Sequence, residues 1–441
     1  MPYSSPIKPT TLTHGLLALS FLFSIHVPAS AEEGHSDGSD HQHKQQQHKK
    51  MHQGGGHHGG GHHGGHGAIA KGIEKFPTSA YAEDKPVRDI QRPGMPNMQG
   101  DPVKGKRLAA GKGRCLTCHI MDADGKQAGD VGPSLATYAK YARPGEYTFQ
   151  QIWDARAHNP TTLMPPFGTN DVLNKHEVMH VVAYLETLSD PVPAPARPIL
   201  ESPNYYVAGE DLTLADEYIE EGEALFNKPG KNGKSCASCH STGTSTGKAP
   251  GLKGIAANYP KYDSGLEKVM LIEARNNHCR KQYMHSQPYK LGSRASNTLG
   301  SYIKYLARNE PVKIATDEAT QKALLKGKKS FYQTTGQLNF SCASCHDNAA
   351  GKWLRGQSLS SIKQGGEHSY TAATWPRHFI ALHELGLISM QQRIRHCQIV
   401  TRTYPLKPGS VEYTNMELFI TSLANGKPVQ APTKSKLRGA D

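Results

Sequence analysis

Three pentapeptides of one form recur along the chain: Cys115-Leu116-Thr117-Cys118-His119, Cys236-Ala237-Ser238-Cys239-His240 and Cys342-Ala343-Ser344-Cys345-His346. Two thiols three positions apart, followed directly by an imidazole, can bond the two edges of a porphyrin and place a nitrogen under its iron. One such pentapeptide arises by chance; three, spaced a domain apart, do not. Cys115, Cys118, Cys236, Cys239, Cys342 and Cys345, with His119, His240 and His346, therefore predict three covalently bound haem c groups. What each iron does then depends on the residue opposite its histidine.

After the first motif comes Met164-Pro165-Pro166-Phe167-Gly168, a methionine in a proline-bounded loop with no periodic apolar neighbours. A thioether opposite histidine raises the reduction potential, which makes Met164 the first distal candidate. Met121 and Met179 read as packing residues. After the second and third motifs come Arg275-Asn276-Asn277-His278-Cys279 and Arg393-Ile394-Arg395-His396-Cys397, both of the form R-x-x-H-C. The haem motifs use six of the eight cysteines, and Cys279 and Cys397 are the two that remain. Three arrangements are open. Cys279 and Cys397 can each ligate their own haem as thiolates, which lowers the potential and is favoured by adjacent arginine and iron. His278 and His396 can take that place instead, giving bis-histidine haems. The two cysteines can also form one disulfide, as exported proteins permit. Duplication favours the thiolates, because a disulfide requires the two repeats to face each other at equivalent positions.

The elements that must position these groups repeat as well. From about residue 100, each unit opens with an amphipathic helix carrying a glycine and an apolar residue a turn later: Gly105/Leu108, Gly222/Leu225/Phe226 and Gly327/Phe331. Each closes with a helix whose apolar residues keep helical spacing: Val178/Val182/Leu185, Tyr302/Tyr305/Leu306 and Leu418/Phe419/Leu423. A first helix crossing a last helix over a haem is the cytochrome c arrangement, with glycine allowing close backbone approach. The expected fold class is all-α, with three cytochrome c-like domains in tandem and little sheet. The expected boundaries are 100–190, 210–312 and 313–427, with a Pro-rich, semi-rigid linker at 191–209 and a tail at 428–441.

The chain has 441 residues, with 51 Lys and Arg against 38 Asp and Glu, for a net charge of +13. That balance often marks nucleic-acid binding, but in an exported haem protein an anionic small molecule or an acidic partner fits it better, and nucleic acid is not expected. Residues 1–31 have the charged, apolar and small-residue order of a secretory signal, with cleavage expected near Ala31. Its apolar run is too short to span a bilayer and no transmembrane anchor is expected. Residues 32–99 read as a disordered leader and linker, rich in His and Gly up to about residue 66, with incidental affinity for divalent metal.

These motifs together resemble the SoxXA family, the c-type cytochromes of thiosulfate oxidation. Residues 100–190, with Gly132-Pro133-Ser134-Leu135 and Met164-Pro165, resemble the SoxX subunit; residues 210–427 resemble the dihaem form of SoxA. The family has two separate chains, whereas here both parts lie in one. The resemblance implies a periplasmic L-cysteine S-thiosulfotransferase that joins thiosulfate to a cysteine of the SoxYZ carrier as a cysteine S-thiosulfonate. It implies that two electrons leave through haem to a soluble cytochrome c. It also implies that Cys397 is the catalytic haem ligand, often found as a persulfide, and that Arg393 belongs to the active site. An anionic sulfur substrate needs a cationic clamp, which a guanidinium provides bidentately. A thiosulfate dehydrogenase forming tetrathionate, and a multihaem electron carrier without a substrate site, are the alternative readings.

Overall fold

The computed structural model describes residues 75–76, 88–121, 128–195, 205–207, 214–243, 251–355, 357–361, 377–378, 386–431 and 433–435. The signal segment and the His/Gly-rich tract lie outside them.

Mostly helical cytochrome c units dominate. In the first, α1 (Pro102–Ala110) starts at Asp101, whose carboxylate accepts from the Val103 and Lys104 amides, with proline in the first turn. Helices α2 (Gly145–Trp153) and α3 (Lys175–Leu185) follow. In the second unit, α4 (Leu214–Asn227) leads to α5 (Ile272–Tyr283) and α6 (Arg294–Tyr305). In the third, α7 (Glu318–Tyr332) leads to α8 (Met390–Val400) and α9 (Val411–Ser422).

The glycines decide how the first and last helices of each unit cross. A Cβ built on Gly105 falls 1.9 Å from the His180 carbonyl oxygen, one on Gly222 falls 2.5 Å from that of Thr298, and one on Gly327 falls 2.0 Å from that of Asn415. Any side chain would push the helices apart in all three units. One turn beyond the glycine, Phe226 packs on Tyr302 and Phe331 on Phe419, each pair with centroids 5.5 Å apart. The apolar spacing thus predicts the helix crossing itself.

The first unit has its own core, with Phe149, Val172, Leu173, Val178, Val182 and Leu185 at its centre. The second and third units share a core in which Phe226, Leu299 and Tyr302 meet Phe331, Leu418 and Phe419. That shared core agrees with the absence of a proline-rich break between them in the sequence.

Three features depart from the sequence expectations. First, although strand is as scarce as expected, the eight short strands among the described residues reach into the expected linker and tail. Strands β1 (Tyr205–Val207), β6 (Arg377–His378), β7 (Leu387–Ile388) and β8 (Thr433–Ser435) form one sheet in the order β1-β8-β6-β7. The end of the expected linker therefore pairs with the expected tail, and Val429 and Ala431 are buried. Segments of three residues carry no periodicity that sequence can register. Second, the leader ends before residue 99. Arg88 donates to the Thr169 carbonyl and to Asp171, and Arg92 donates to the Ala157 carbonyl, fastening this stretch to the first unit. Guanidinium-to-carbonyl bonds leave no apolar pattern. Third, the first unit docks on the third unit, which is not its neighbour in sequence. Asn170 and Gln337 exchange side chain-to-backbone bonds of 2.8 and 2.9 Å, and Arg402 donates to the Lys112 carbonyl at 2.9 Å.

A buried ionic group lies where the second and third units meet. Glu273 on α5, Lys304 on α6 and Glu417 on α9 are 8%, 8% and 6% exposed. Burial, and then the charge of Glu273, push the Glu417 carboxyl up from 4.5 to about 7, against the pull of Lys304 and a hydrogen bond from Gln391. A carboxyl whose pKa is raised by folding binds its proton more tightly in the native state. Its stabilising contribution is complete below pH 4.5 and is lost as pH rises through 7. The isosteric Glu417→Gln variant is therefore expected to match the wild type near pH 4 and exceed it at pH 8, by up to about 3 kcal/mol. Denaturation of the haem-loaded protein across that range checks this; parallel wild-type and variant curves would refute it.

Candidate functional site

Each haem motif lies just beyond the opening helix of its unit. The first forms a tight turn, with the amides of Cys118 and His119 bonded to the Cys115 carbonyl. Residues 129–133 wrap around it: Gly129 donates to Leu116 and Gly132 to Cys118. A Cβ on Gly132 would lie 2.3 Å from the His119 ring, so only glycine leaves room for the imidazole. His119 Nδ1 sits 2.7 Å from the Pro133 carbonyl, and His346 Nδ1 sits 2.7 Å from the Ser360 carbonyl, fourteen residues further along the chain in both cases. A carbonyl on Nδ1 fixes the ring and leaves Nε2 for a metal. Burial holds both histidines below the ordinary imidazole range, and therefore in the neutral, ligating form; the Pro133 and Ser360 carbonyls act in the opposite sense.

Burial also pushes the Cys115, Cys118, Cys342 and Cys345 thiols up to about 12, and that of Cys236 to about 11. Uncharged sulfur in apolar surroundings is what a thioether link to a porphyrin edge requires. Trp153 Nε1 and Asn276 Nδ2 are buried donors with no acceptor among the described residues. The residues at these motifs fit covalent haem c.

Met164 packs with Trp153, Leu116 and Cys115 against the core of the first unit, and Gln151 Nε2 approaches its sulfur at 3.7 Å. Met121 and Met179 lie inside that core. Cys279 and Cys397 are not bonded to each other. Each belongs to its own motif instead: the charge of Cys279 raises Cys236, and that of Cys397 raises Cys342 and Cys345. The two cysteines come from helices α5 and α8. Adjacent helical residues point about 100° apart, so His278 and Cys279 cannot share one direction. The His278 ring stands edge-on to Tyr283, 6.4 Å away, under the influence of Arg275 and Lys268.

The two R-x-x-H-C segments look alike in sequence and differ in the structure. Arg275 is ion-paired with Asp263, on the hairpin of β2 (Lys261–Asp263) and β3 (Lys268–Met270). Burial raises the Cys279 thiol and Arg275 partly offsets it. In the third unit the Arg393 charge is felt instead at Cys345 and His346. Helix α8 is fixed by a capping box between Ser389 and Gln392. Buried Asn297 on α6 donates to the Leu387 carbonyl at 2.9 Å and to Gln392 Oε1 at 2.7 Å, so the second unit aims the Cys397 helix. Asp263, Asn297 and Gln151 belong to no motif, and the sequence held no signal for them. The charge of Cys118 also raises Cys345, so the first and third motifs lie side by side.

Crossing helices over Cys-x-x-Cys-His turns with fixed imidazoles define a c-type cytochrome. Residues 221–312 match the family model described as SoxA/TsdA, cytochrome c domain, and residues 100–185 match that of cytochrome c oxidase, cbb3-type, subunit III. The L-cysteine S-thiosulfotransferase subunit SoxA of Pseudaminobacter salicylatoxidans is 35% identical over 48% of this chain and 70% of its own length. That of Chlorobaculum tepidum is 32% identical over 49% and 70%. The crystal structure of SoxXA from P. pantotrophus covers 50% of this chain and 78% of its own, at 27% identity and a TM-score of 0.44. The chain belongs to the SoxA family of L-cysteine S-thiosulfotransferase subunits.

Proposed function

We propose that this chain performs the whole reaction of a SoxXA cytochrome: oxidative conjugation of thiosulfate to a cysteine of the SoxYZ carrier in the periplasm. The thiol and thiosulfate give the S-thiosulfonate, one proton and two electrons; the new bond joins the carrier sulfur to the outer sulfur of thiosulfate. Haem c held by His119 with Met164, His240 with Cys279 and His346 with Cys397 would supply one-electron acceptors for these electrons on the way to a soluble cytochrome c. Cys397 presents its sulfur at the reacting centre, and Arg393 holds the thiosulfate anion beside it. The convergence of Arg393 and Cys397 on the third motif carries this reading: both charges are felt at Cys345, and that of Cys397 also at Cys342. No helix among the described residues is long and apolar enough to cross a membrane.

Turnover with thiosulfate and an oxidised cytochrome, with and without SoxYZ, tests it. The expected result is acceptor reduction only with SoxYZ present, and a thiosulfonate mass increment on the carrier cysteine. Tetrathionate formed without the carrier would establish a thiosulfate dehydrogenase instead. Haems that cycle electrons but never consume thiosulfate would establish an electron carrier.

A further inference from the structure

The interface between the first and third units has a construction that the reaction above does not explain. Its centre is the hairpin of β4 (Trp353–Leu354) and β5 (Gln357–Ser358). Immediately after β5, the Ser360 carbonyl receives His346 Nδ1. From β4, the Trp353 amide donates to Asp130 Oδ1 at 2.6 Å, and the Asp130 amide donates back to the Trp353 carbonyl at 3.0 Å. Arg355 adds two bonds to Thr117, from its amide to the carbonyl at 3.1 Å and from Nε to Oγ1 at 3.2 Å. Thr117 stands between the two cysteines of the first motif. Asp130 belongs to the loop that wraps this motif and ends in Pro133, the carbonyl that holds His119. A Cβ on the neighbouring Gly129 would fall 2.0 Å from the Thr117 carbonyl oxygen and 2.6 Å from that of Trp353, so the segments meet backbone to backbone. Trp353 is 8% exposed.

The two axial histidines are thus oriented by two short segments, and those segments are hydrogen-bonded to each other. We propose that Asp130, with Thr117, Trp353 and Arg355, is a positioning lock that holds the haem of the first unit in register with the haem of the third for electron transfer within one chain. This rests on the haem assignment above. The reciprocal Asp130–Trp353 pair fixes the distance between the segments, and the Arg355–Thr117 pair, in the turn just after β4, fixes their rotation. In a protein whose two haem parts are covalently joined, such a lock sets geometry rather than affinity.

The test uses the full haem-loaded chain and needs no thiosulfate. Intramolecular electron transfer from the third haem to the first is timed after photoreduction, and the magnetic coupling between the two haems is read by pulsed electron paramagnetic resonance. Asp130→Ala removes the acceptor of the Trp353 amide; transfer is expected to slow by at least about tenfold, as small misplacements do, with weakened coupling and unchanged haem content. Asp130→Asn keeps an oxygen in place and is expected to stay within about twofold of the wild type, because alignment and not charge is the requirement. Thr117→Val deletes only the hydroxyl acceptor of Arg355 and is expected to slow transfer in the same direction; it carries the test if Asp130→Ala fails to fold. Equal transfer in the wild type and Asp130→Ala, or in Thr117→Val if that variant must stand alone, would overturn the lock by itself. No transfer in the wild type would overturn the electron route and the lock with it.

Discussion

Cys397→Ala is expected to abolish thiosulfate conjugation, with a loss of about 10³-fold or more, the scale on which enzymes respond to losing a reacting atom. The same substitution at Cys279 is expected to leave most of the activity. In the sequence the two sites cannot be told apart, since both read R-x-x-H-C and both follow a haem motif. The structure separates them by their surroundings. Cys397 acts on both Cys342 and Cys345, and Cys345 is also within reach of Cys118 of the first unit. The third motif therefore lies beside the first. Cys279 sits by Cys236 and Cys239, and its arginine is engaged by Asp263. The measurement is the rate of carrier modification, followed by mass spectrometry, in both variants with haem content matched. A dead Cys279→Ala beside an active Cys397→Ala would move the catalytic site to the second unit.

Arg393→Ala is expected to lower conjugation by about 10²–10³-fold, the scale of removing one charged donor from a reacting anion. Haem content should be unchanged, because the Cys-x-x-Cys-His motifs are untouched. Arg393→Lys should recover part of the loss: it restores the charge but not the planar pair of donors that grips an oxyanion. Arg275→Ala serves as the contrast. It breaks the pair with Asp263 and should change conjugation little, since that guanidinium acts at Cys279 of the second unit. Haem content by absorbance and steady-state rates at saturating carrier decide the matter. Full activity in Arg393→Ala would end the clamp assignment, whatever Arg275→Ala does.

The sequence alone carried the haem motifs and the local elements. Cys-x-x-Cys-His needs only five consecutive residues, so it is legible without a fold. The glycine-to-apolar spacing of the opening and closing helices is equally local, and the three collisions that a Cβ on Gly105, Gly222 or Gly327 would meet are what that spacing implied. Met164, Cys279 and Cys397 were marked by composition that packing does not call for. The family could be recognised from these motifs for the same reason.

Only the tertiary structure decided which unit touches which, and what each charged side chain faces. A linker of prolines suggested that the first unit stands apart, yet it docks on the third unit through Asp130–Trp353, Thr117–Arg355 and Asn170–Gln337, residues more than 160 positions apart in each pair. Single polar bonds of this kind, with backbone partners in two of the three, follow no periodic pattern and so leave no trace in a sequence. The same holds for Asp263, which pairs with Arg275, and for Asn297, which aims the Cys397 helix from another unit. Local spacing fixes what a residue can do. Its long-range partners, set by where the shared core brings the helices together, decide what surrounds it.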